Sequence, residues 1–264
     1  MPGQARLTLQ AKAGAWSDLR LRVLSAVVLL PVGLGGLWLG GWAWAVLVAA
    51  GAVGMALEFA TISGASGMAA AMLVAIAAGC AAAGFAGFGL LVLLGGTIAT
   101  LRGWRWGWMT FGLPYVGLPA LALVWLRDMP GSGRENVLFL LLVVWATDIF
   151  AYVAGRLFGG PKLAPGISPG KTWSGAVGGL AGAGVAGVVL AGLAGLPLAM
   201  ALSVVAQAGD LMESGLKRRF GVKDSGRLIP GHGGLLDRLD GVLTAAPLAA
   251  LLALAAGRGI GLWQ

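Results

Sequence analysis

Charge is what this 264-residue sequence has least of. Asp, Glu, Lys and Arg together make up 11% of it, where a soluble globular domain carries about 25%. That shortfall excludes an ordinary soluble enzyme, a disordered chain and a coiled coil. A single cysteine, Cys80, excludes an internal disulfide and any Cys-based metal cluster. It lies in an apolar run and reads as a small buried or lipid-facing residue. One histidine with no cysteine partner argues against zinc. What is abundant is apolar: 58% of residues are hydrophobic and the mean hydropathy is +0.89. The 47 glycines suit membrane helices, where small residues let backbones approach closely. The composition therefore implies an all-α polytopic membrane protein, whose outer surface faces lipid.

The positions of the few charges divide the chain. Between Val23 and Leu101 the only charge is Glu58. Charge-free gaps give about nine transmembrane helices, at 23–39, 42–58, 67–83, 85–101, 108–126, 137–154, 175–192, 197–212 and 241–257. They imply a cytoplasmic N-terminal segment (1–22), one transmembrane catalytic domain (23–257) and a short tail (258–264). With the N-terminus cytoplasmic, 15 of the 18 basic residues fall on the inner side, and only Arg127, Arg134 and Arg258 fall outside. The positive-inside rule favours that orientation. Trp38, Trp42 and Trp44 at one end, and Trp104, Trp106 and Trp108 at the other, read as interfacial belts. The first apolar stretch is long, another follows it at once, and no small-residue cleavage pattern follows, so it reads as a span rather than a signal peptide.

Three cytoplasmic features carry chemistry. Asp148, in WATDIFAYVAGRLFG, lies inside a span about one and a half turns from its cytoplasmic end. An intramembrane carboxylate costs several kcal/mol unless paired, so it marks a functional site. Residues 155–175, GRLFGGPKLAPGISPGKTWSG, hold three prolines and two lysines and cannot be helix. With Ser168, Lys171, Thr172 and Ser174 they suggest amides and hydroxyls turned toward oxyanions. Gly166 lies four residues before Gly170 instead of five, and no strand is expected before them, so this is not a Walker A loop. In residues 208–241, Asp210, Glu213, Ser214 and Lys217 recur at helical spacing and form one stripe. The basic cluster Lys217, Arg218, Arg219 and Lys223 comes next, then a Gly/Pro-rich turn with His232 and the carboxylates Asp237 and Asp240. Acids interleaved with bases suit a divalent cation plus a polyphosphate. Carboxylates hold Mg²⁺, which keeps phosphate oxygens in its shell, and cationic side chains neutralise the rest. Four of the five lysines lie in these two loops, in a chain that otherwise prefers arginine.

At these residues the sequence resembles the phosphatidate cytidylyltransferase (CDP-diacylglycerol synthase) family. The family signature S-x-x-K-R-x-x-x-x-K-D-x-G-x-x-x-P-G-H-G-G-x-x-D-R-x-D is met without departure by Ser214, Lys217, Arg218, Lys223, Asp224, Gly226, Pro230, Gly231, His232, Gly233, Gly234, Asp237, Arg238 and Asp240. The upstream D-x-x-A-Y-x-x-G-R-x-F-G and I-S-P-x-K-T-W elements are similar too, with Ser174 in place of the more common glutamate. The motif-bearing resemblance covers about 148–241, and the N-terminal half matches in hydropathy only. It implies the reaction of CTP with phosphatidic acid to give CDP-diacylglycerol and pyrophosphate. It further implies Asp210 and Asp237 as the first metal ligands, for Mg²⁺ with room for a second cation, and Asp148 and Asp240 as the next carboxylates. Ser168, Lys171, Thr172, Ser214, Lys217, Arg218, Lys223 and Arg238 would contact substrate, His232 would bind phosphate or orient a carboxylate, and the backbone at Gly233 and Gly234 would approach the nucleotide. The catalytic group is then Asp210, Asp237, Lys217, Lys171 and Asp148.

The implied setting is the cell inner (plasma) membrane, with the active site facing the cytoplasm, membrane lipid as a partner and no nucleic acid. The Gly-rich first half leaves room for a homodimer. Two other readings compete: a related lipid-phosphate nucleotidyltransferase or lipid kinase acting on an isoprenoid or ether lipid, and a small ion transporter. A transporter would place charges near the midplane on opposed broken helices, whereas here only Asp148 approaches that depth.

Overall fold

A computed structural model describes residues 25, 27–102, 107–226, 228–229 and 233–256. The described chain is α1 (Val27–Leu39), α2 (Gly41–Ser63), α3 (Met68–Ala82), α4 (Ala86–Arg102), α5 (Met109–Arg127), α6 (Gly133–Phe158), β1 (Lys162–Ala164), β2 (Ser168–Thr172), α7 (Trp173–Ala191), α8 (Gly195–Arg219) and α9 (Leu236–Ala255). Five helical stretches are long and apolar enough to cross a membrane: α2, α5, α6, the α7–α8 stretch and α9. Helices α1, α3 and α4 are shorter apolar helices. At 1.5 Å per residue, α3 extends about 22 Å, less than the roughly 30 Å hydrocarbon core.

Punctuation follows backbone chemistry. Gly40 and Gly41, both at positive φ (67° and 50°), break α1 from α2, and Gly64 closes α2 in the left-handed region at φ 68°. Pro114 and Pro119 sit inside α5, which membrane helices tolerate when neighbours satisfy the freed groups. A single 3-10 turn at Gly192–Ala194 divides α7 from α8.

Helix α5 lies at the centre, packed on α2, α3, α4, α6 and α9. Twelve of its 19 residues are buried, whereas burial in α7 falls mainly on small residues along one side. Helices α6 and α7 cross in intimate contact because glycines line the crossing. A Cβ on Gly175 would stand 2.9 Å from the carbonyl oxygen of Ala151, and one on Gly179 2.9 Å from that of Thr147. Such backbone-to-backbone approach replaces the hydrophobic drive that lipid cannot supply. The other side of α6 turns outward: Ile149, Tyr152, Val153, Leu157 and Phe158 are exposed.

The two ends of the bundle differ. At one, Arg127 donates to the carbonyls of Leu37 (2.7 Å) and Trp38 (3.3 Å), Arg134 stacks 4.0 Å from the Trp38 ring, and Trp44 donates to Leu123 (3.0 Å). At the other meet the end of α6, the hairpin, the end of α8 and the start of α9.

Several expectations change. The segment 155–175, expected to be non-helical throughout, is helical at its two ends, in α6 through Phe158 and in α7 from Trp173; between them it forms an antiparallel β1–β2 hairpin, with Lys162 opposite Thr172 and Ala164 opposite Ser168. Its prolines forbid helix but not a short irregular ladder. Helix α6 runs to Phe158, so Asp148 lies nearly three turns from its end instead of one and a half. Helix α8 runs to Arg219 and α9 starts at Leu236, so both carry charged turns beyond the apolar stretches that mark them. Trp104, Trp106 and the basic residues of 1–22 lie outside the described residues.

Candidate active site

Lys171 is presented by β2, just before the start of α7. Thr172 ends the strand and caps α7, its Oγ1 accepting from the Gly175 N–H at 3.1 Å. Ser174 lies 3.0 Å from the same hydroxyl and donates to the carbonyl of Gly159, which ties the hairpin to the end of α6. Lys171 is thereby aimed across the gap at α8, where its Nζ lies 2.5 Å from Asp210. The strand-to-helix passage through PGKT superficially has the elements of a phosphate loop, yet its lysine is committed to a carboxylate.

This pair sits in a cavity of about 680 Å³. Asp148, Tyr152 and Arg156 of α6, Lys162 and Lys171 of the hairpin, and Gln207 and Asp210 of α8 are among its lining residues. Asp148 is exposed to it and interacts electrostatically with both Asp210 and Lys171. Asp240 approaches from α9. Its carboxylate accepts from the Gly241 N–H at 2.8 Å and feels Asp210, Glu213 and Asp148. The buried hydroxyl of Tyr115, on α5, has no hydrogen-bond partner among the described residues and lies within electrostatic range of Glu213, Asp240 and Asp210.

A second cluster adjoins the first. Lys217 bridges Asp237 Oδ1 (2.6 Å) and Glu213 Oε1 (3.2 Å). Asp237 Oδ2 accepts from the backbone N–H groups of Ser225 and Gly234, both at 2.9 Å. All three side chains are nearly buried, at 13%, 7% and 4% exposure for Lys217, Asp237 and Glu213. At that burial each carboxylate depends on the shared ammonium. The stripe of Asp210, Glu213, Ser214 and Lys217 therefore splits by facing: Asp210 looks toward the hairpin, and Glu213 and Lys217 toward α9.

The remaining expected residues distribute as follows. Arg218 donates to the carbonyls of Ile167 and Val222, both at 3.4 Å, and so braces the hairpin turn beside Ser168. Ser168 and Ser214 are half-buried, and Lys223 and Arg238 are exposed. Gly233 adopts φ 84° in a bridge with Ile229, a conformation that favours glycine. His232 lies outside the described residues.

The donor chemistry fits a divalent cation. Asp148, Asp210 and Asp240 offer oxygen only, beside an orphaned buried hydroxyl, and hard cations prefer oxygen. Among the described residues no three His, Cys, Asp or Glu side chains could hold an ion unaided. An ion here would need oxygen ligands from outside the protein, as Mg²⁺ has where one or two carboxylates share it with phosphates. Both oxygens of Asp237 are already occupied by protein donors.

Residues 20–255 match the cytidylyltransferase family. This chain belongs to that family. It is 42% identical over 249 residues to the phosphatidate cytidylyltransferase of Brucella abortus, covering 88% of this chain and 92% of that one. It is 37% identical to the Pseudomonas aeruginosa phosphatidate cytidylyltransferase, over 91% of this chain and 99% of its relative. A Staphylococcus saprophyticus phosphatidate cytidylyltransferase is 43% identical over 148 residues, 53% of this chain and 56% of that one. The match extends through the N-terminal half, which in the sequence analysis resembled the family in hydropathy alone.

Two residues that meet the motif segments were not among those expected at the candidate site. Gln207 lines the cavity and donates to the carbonyl of Ala176 (3.3 Å) and to Ser203 (3.2 Å). It is uncharged and sits in an apolar run, so no pattern marked it. Glu58 was visible as the single charge between Val23 and Leu101. Its carboxylate meets the start of α9, 177 residues away in sequence.

Proposed function

We propose that the chain transfers the cytidylyl group of CTP to phosphatidic acid, giving CDP-diacylglycerol and pyrophosphate. The observation that carries this reading is the cavity in which Asp148, Lys171 and Asp210 converge from three elements. It lies beside the exposed apolar side of α6, in a member of the cytidylyltransferase family. A nucleotide triphosphate and an anionic amphiphile need that combination of cationic side chains, ion-binding carboxylates and an apolar flank.

In the proposed reaction an oxygen of the lipid phosphate attacks the α-phosphorus of CTP. A P–O bond forms there as the bond to the β-phosphate oxygen breaks, and pyrophosphate leaves with that electron pair. No bond to the protein is needed, so the protein's part is positioning and charge neutralisation. Arg156 and Lys162 meet phosphate oxygens at the cavity, and Lys171 does so once phosphate draws it from Asp210, with Thr172 fixing the strand end that carries Lys171. Lys217, Arg218, Lys223 and Arg238 supply positive charge on the α8–α9 side. Asp148, Asp210 and Asp240 would hold Mg²⁺, which when bound neutralises and orients the triphosphate. Asp237 is the fourth carboxylate: a Lys217 drawn toward phosphate releases Oδ1.

For topology we propose nine spans, a cytoplasmic N-terminus, the inner (plasma) membrane and a cytoplasm-facing site, supported by the one-sided basic residues. A homodimer through the Gly-rich first half completes the proposal.

The test is pyrophosphate release from CTP by purified protein in detergent, with and without phosphatidate and Mg²⁺. Release should require all three. Asp210→Asn and Asp237→Asn should each lower it about a hundredfold or more in folded protein. Full activity in both variants overturns the carboxylate assignment. Transfer of the γ-phosphate to a lipid alcohol overturns the reaction in favour of a kinase. A reporter fused after Arg219 should be cytoplasmic.

A further inference from the structure

Among the described residues, Glu58 is the one acid that lies far from the motif segment in sequence and yet returns to it. It lies on α2, 6% exposed. Its Oε1 accepts from the backbone N–H of Leu235 and its Oε2 from that of Leu236, both at 3.0 Å. The preceding N–H, of Gly234, goes to Asp237 Oδ2. Three consecutive amides at the start of α9 are thus held by two carboxylates, one from α9 itself and one from α2. The helix start needs such partners, since its first amides have none within the helix.

The surroundings are shaped to admit that carboxylate. A Cβ on Gly226 would collide with the Glu58 side chain, and one on Gly234 would meet Ser225 Oγ and the Gly226 nitrogen as well as Glu58 Oε2 at 2.8 Å. Both glycines belong to the motif turn. Gly51 and Gly54, on the same side of α2, face Leu235, and Gly54 also faces Leu228. Leu228 and Leu235 therefore sit on a groove of α2 whose floor is small and whose end is a charge.

Holding an ionised carboxylate at this depth is costly unless its acceptors are filled. A shorter polar cap could serve one amide, as a Ser, Thr, Asn or Asp does at many helix starts. A two-pronged anion reaching from another helix fixes the position of the turn as well as its hydrogen bonds. We propose that Glu58 is a positioning residue for the transfer reaction: from α2 it locks the first turn of α9, and so sets Asp237 against Lys217. The proposal rests on the assignment of Asp237 and Lys217 to the site.

The experiment compares Glu58→Gln and Glu58→Asp with wild type and with Asp237→Asn, all as full-length protein in detergent. Readouts are steady-state kinetics per folded molecule and amide exchange of the 233–240 segment. Gln keeps the shape but puts a donor against one of the two amides. Its kcat/KM for CTP should fall about tenfold or more, the loss expected for a bond to a charged acceptor. KM for phosphatidate should stay within about twofold, and exchange at 233–240 should rise. Asp keeps both acceptors and should recover part of the rate. Unchanged kinetics in folded Glu58→Gln, or a smaller folded fraction with a normal kcat/KM for CTP per folded molecule, overturns the proposal. Should Glu58→Gln fail to fold, a wild-type kcat/KM for CTP in Glu58→Asp with exchange raised at 233–240 overturns it equally. Full activity in Asp237→Asn points instead to a failure of the site assignment.

Discussion

Removing the Lys217 ammonium is the sharpest perturbation this fold allows. The substitution Lys217→Met keeps much of the side chain's length and apolar stem but deletes its charge. It leaves Asp237 and Glu213, at 7% and 4% exposure, facing each other without the cation that lies 2.6 and 3.2 Å from them. Breaking one partner from a buried ion pair costs about 3–5 kcal/mol, because the remaining charge stays buried and uncompensated. Here two carboxylates are stranded at once, although Asp237 keeps two backbone donors. The loss should therefore fall within that range, since a stranded buried carboxyl relieves part of the cost by taking up a proton. The double variant Lys217→Met/Glu213→Gln removes the less supported carboxylate, since Glu213 has no hydrogen-bonding backbone amide while Asp237 has two. It should recover about half of the loss. The assay is reversible unfolding by SDS in mixed micelles, followed by helicity, with transferase activity measured in parallel. A single-variant loss under about 1 kcal/mol, within the range of a solvent-screened surface pair, would refute the reasoning. So would a double variant no more stable than the single one.

Other expectations are simpler. Gly179→Leu should abolish folded protein, since a Cβ there meets the Thr147 carbonyl at 2.9 Å, whereas Gly79→Ala, with nothing within 4 Å, should be neutral; detergent gel filtration separates the two. Thr172→Ala should cost about 1 kcal/mol through the lost cap on α7, read by thermal unfolding, and should lower activity by loosening the strand end that carries Lys171. Arg127→Ala frees the carbonyls of Leu37 and Trp38 at the end of the bundle opposite the site. It should reduce thermal stability by about 1–2 kcal/mol while leaving KM for both substrates unchanged.

Composition and charge-free runs made the helical class legible, and the breaks at Gly40/Gly41 and Gly84 fell where glycine adopts positive φ. Helix ends were harder to read. Hydropathy stops where charge begins, but α6, α8 and α9 continue through Arg156, Lys217 and Asp237, because a helix needs hydrogen bonds and not apolarity. The hairpin was hidden because its prolines and glycines carry no alternation of apolar and polar residues. In the site, the motif residues Lys171, Asp210, Lys217 and Asp237 were all marked by charge or spacing. Which of them pair was not, since Lys171–Asp210 and Lys217–Asp237 join residues 39 and 20 apart across different elements. Glu58 illustrates the same limit: its isolation was visible, but only the packing of α2 on α9 gives it partners.

The outward side of α6 has a kinetic consequence. Ile149, Tyr152 and Val153 are exposed on the helix whose Asp148 and Tyr152 also line the cavity. An amphiphile arriving along that side moves in two dimensions, with its chains never leaving the apolar phase. Its effective concentration is then its mole fraction among neighbouring lipids, not its amount per volume of solution. Dilution with inert detergent at constant total substrate should slow the reaction, while the water-borne nucleotide obeys ordinary bulk saturation. One enzyme thus answers to two different concentration scales, one for each substrate.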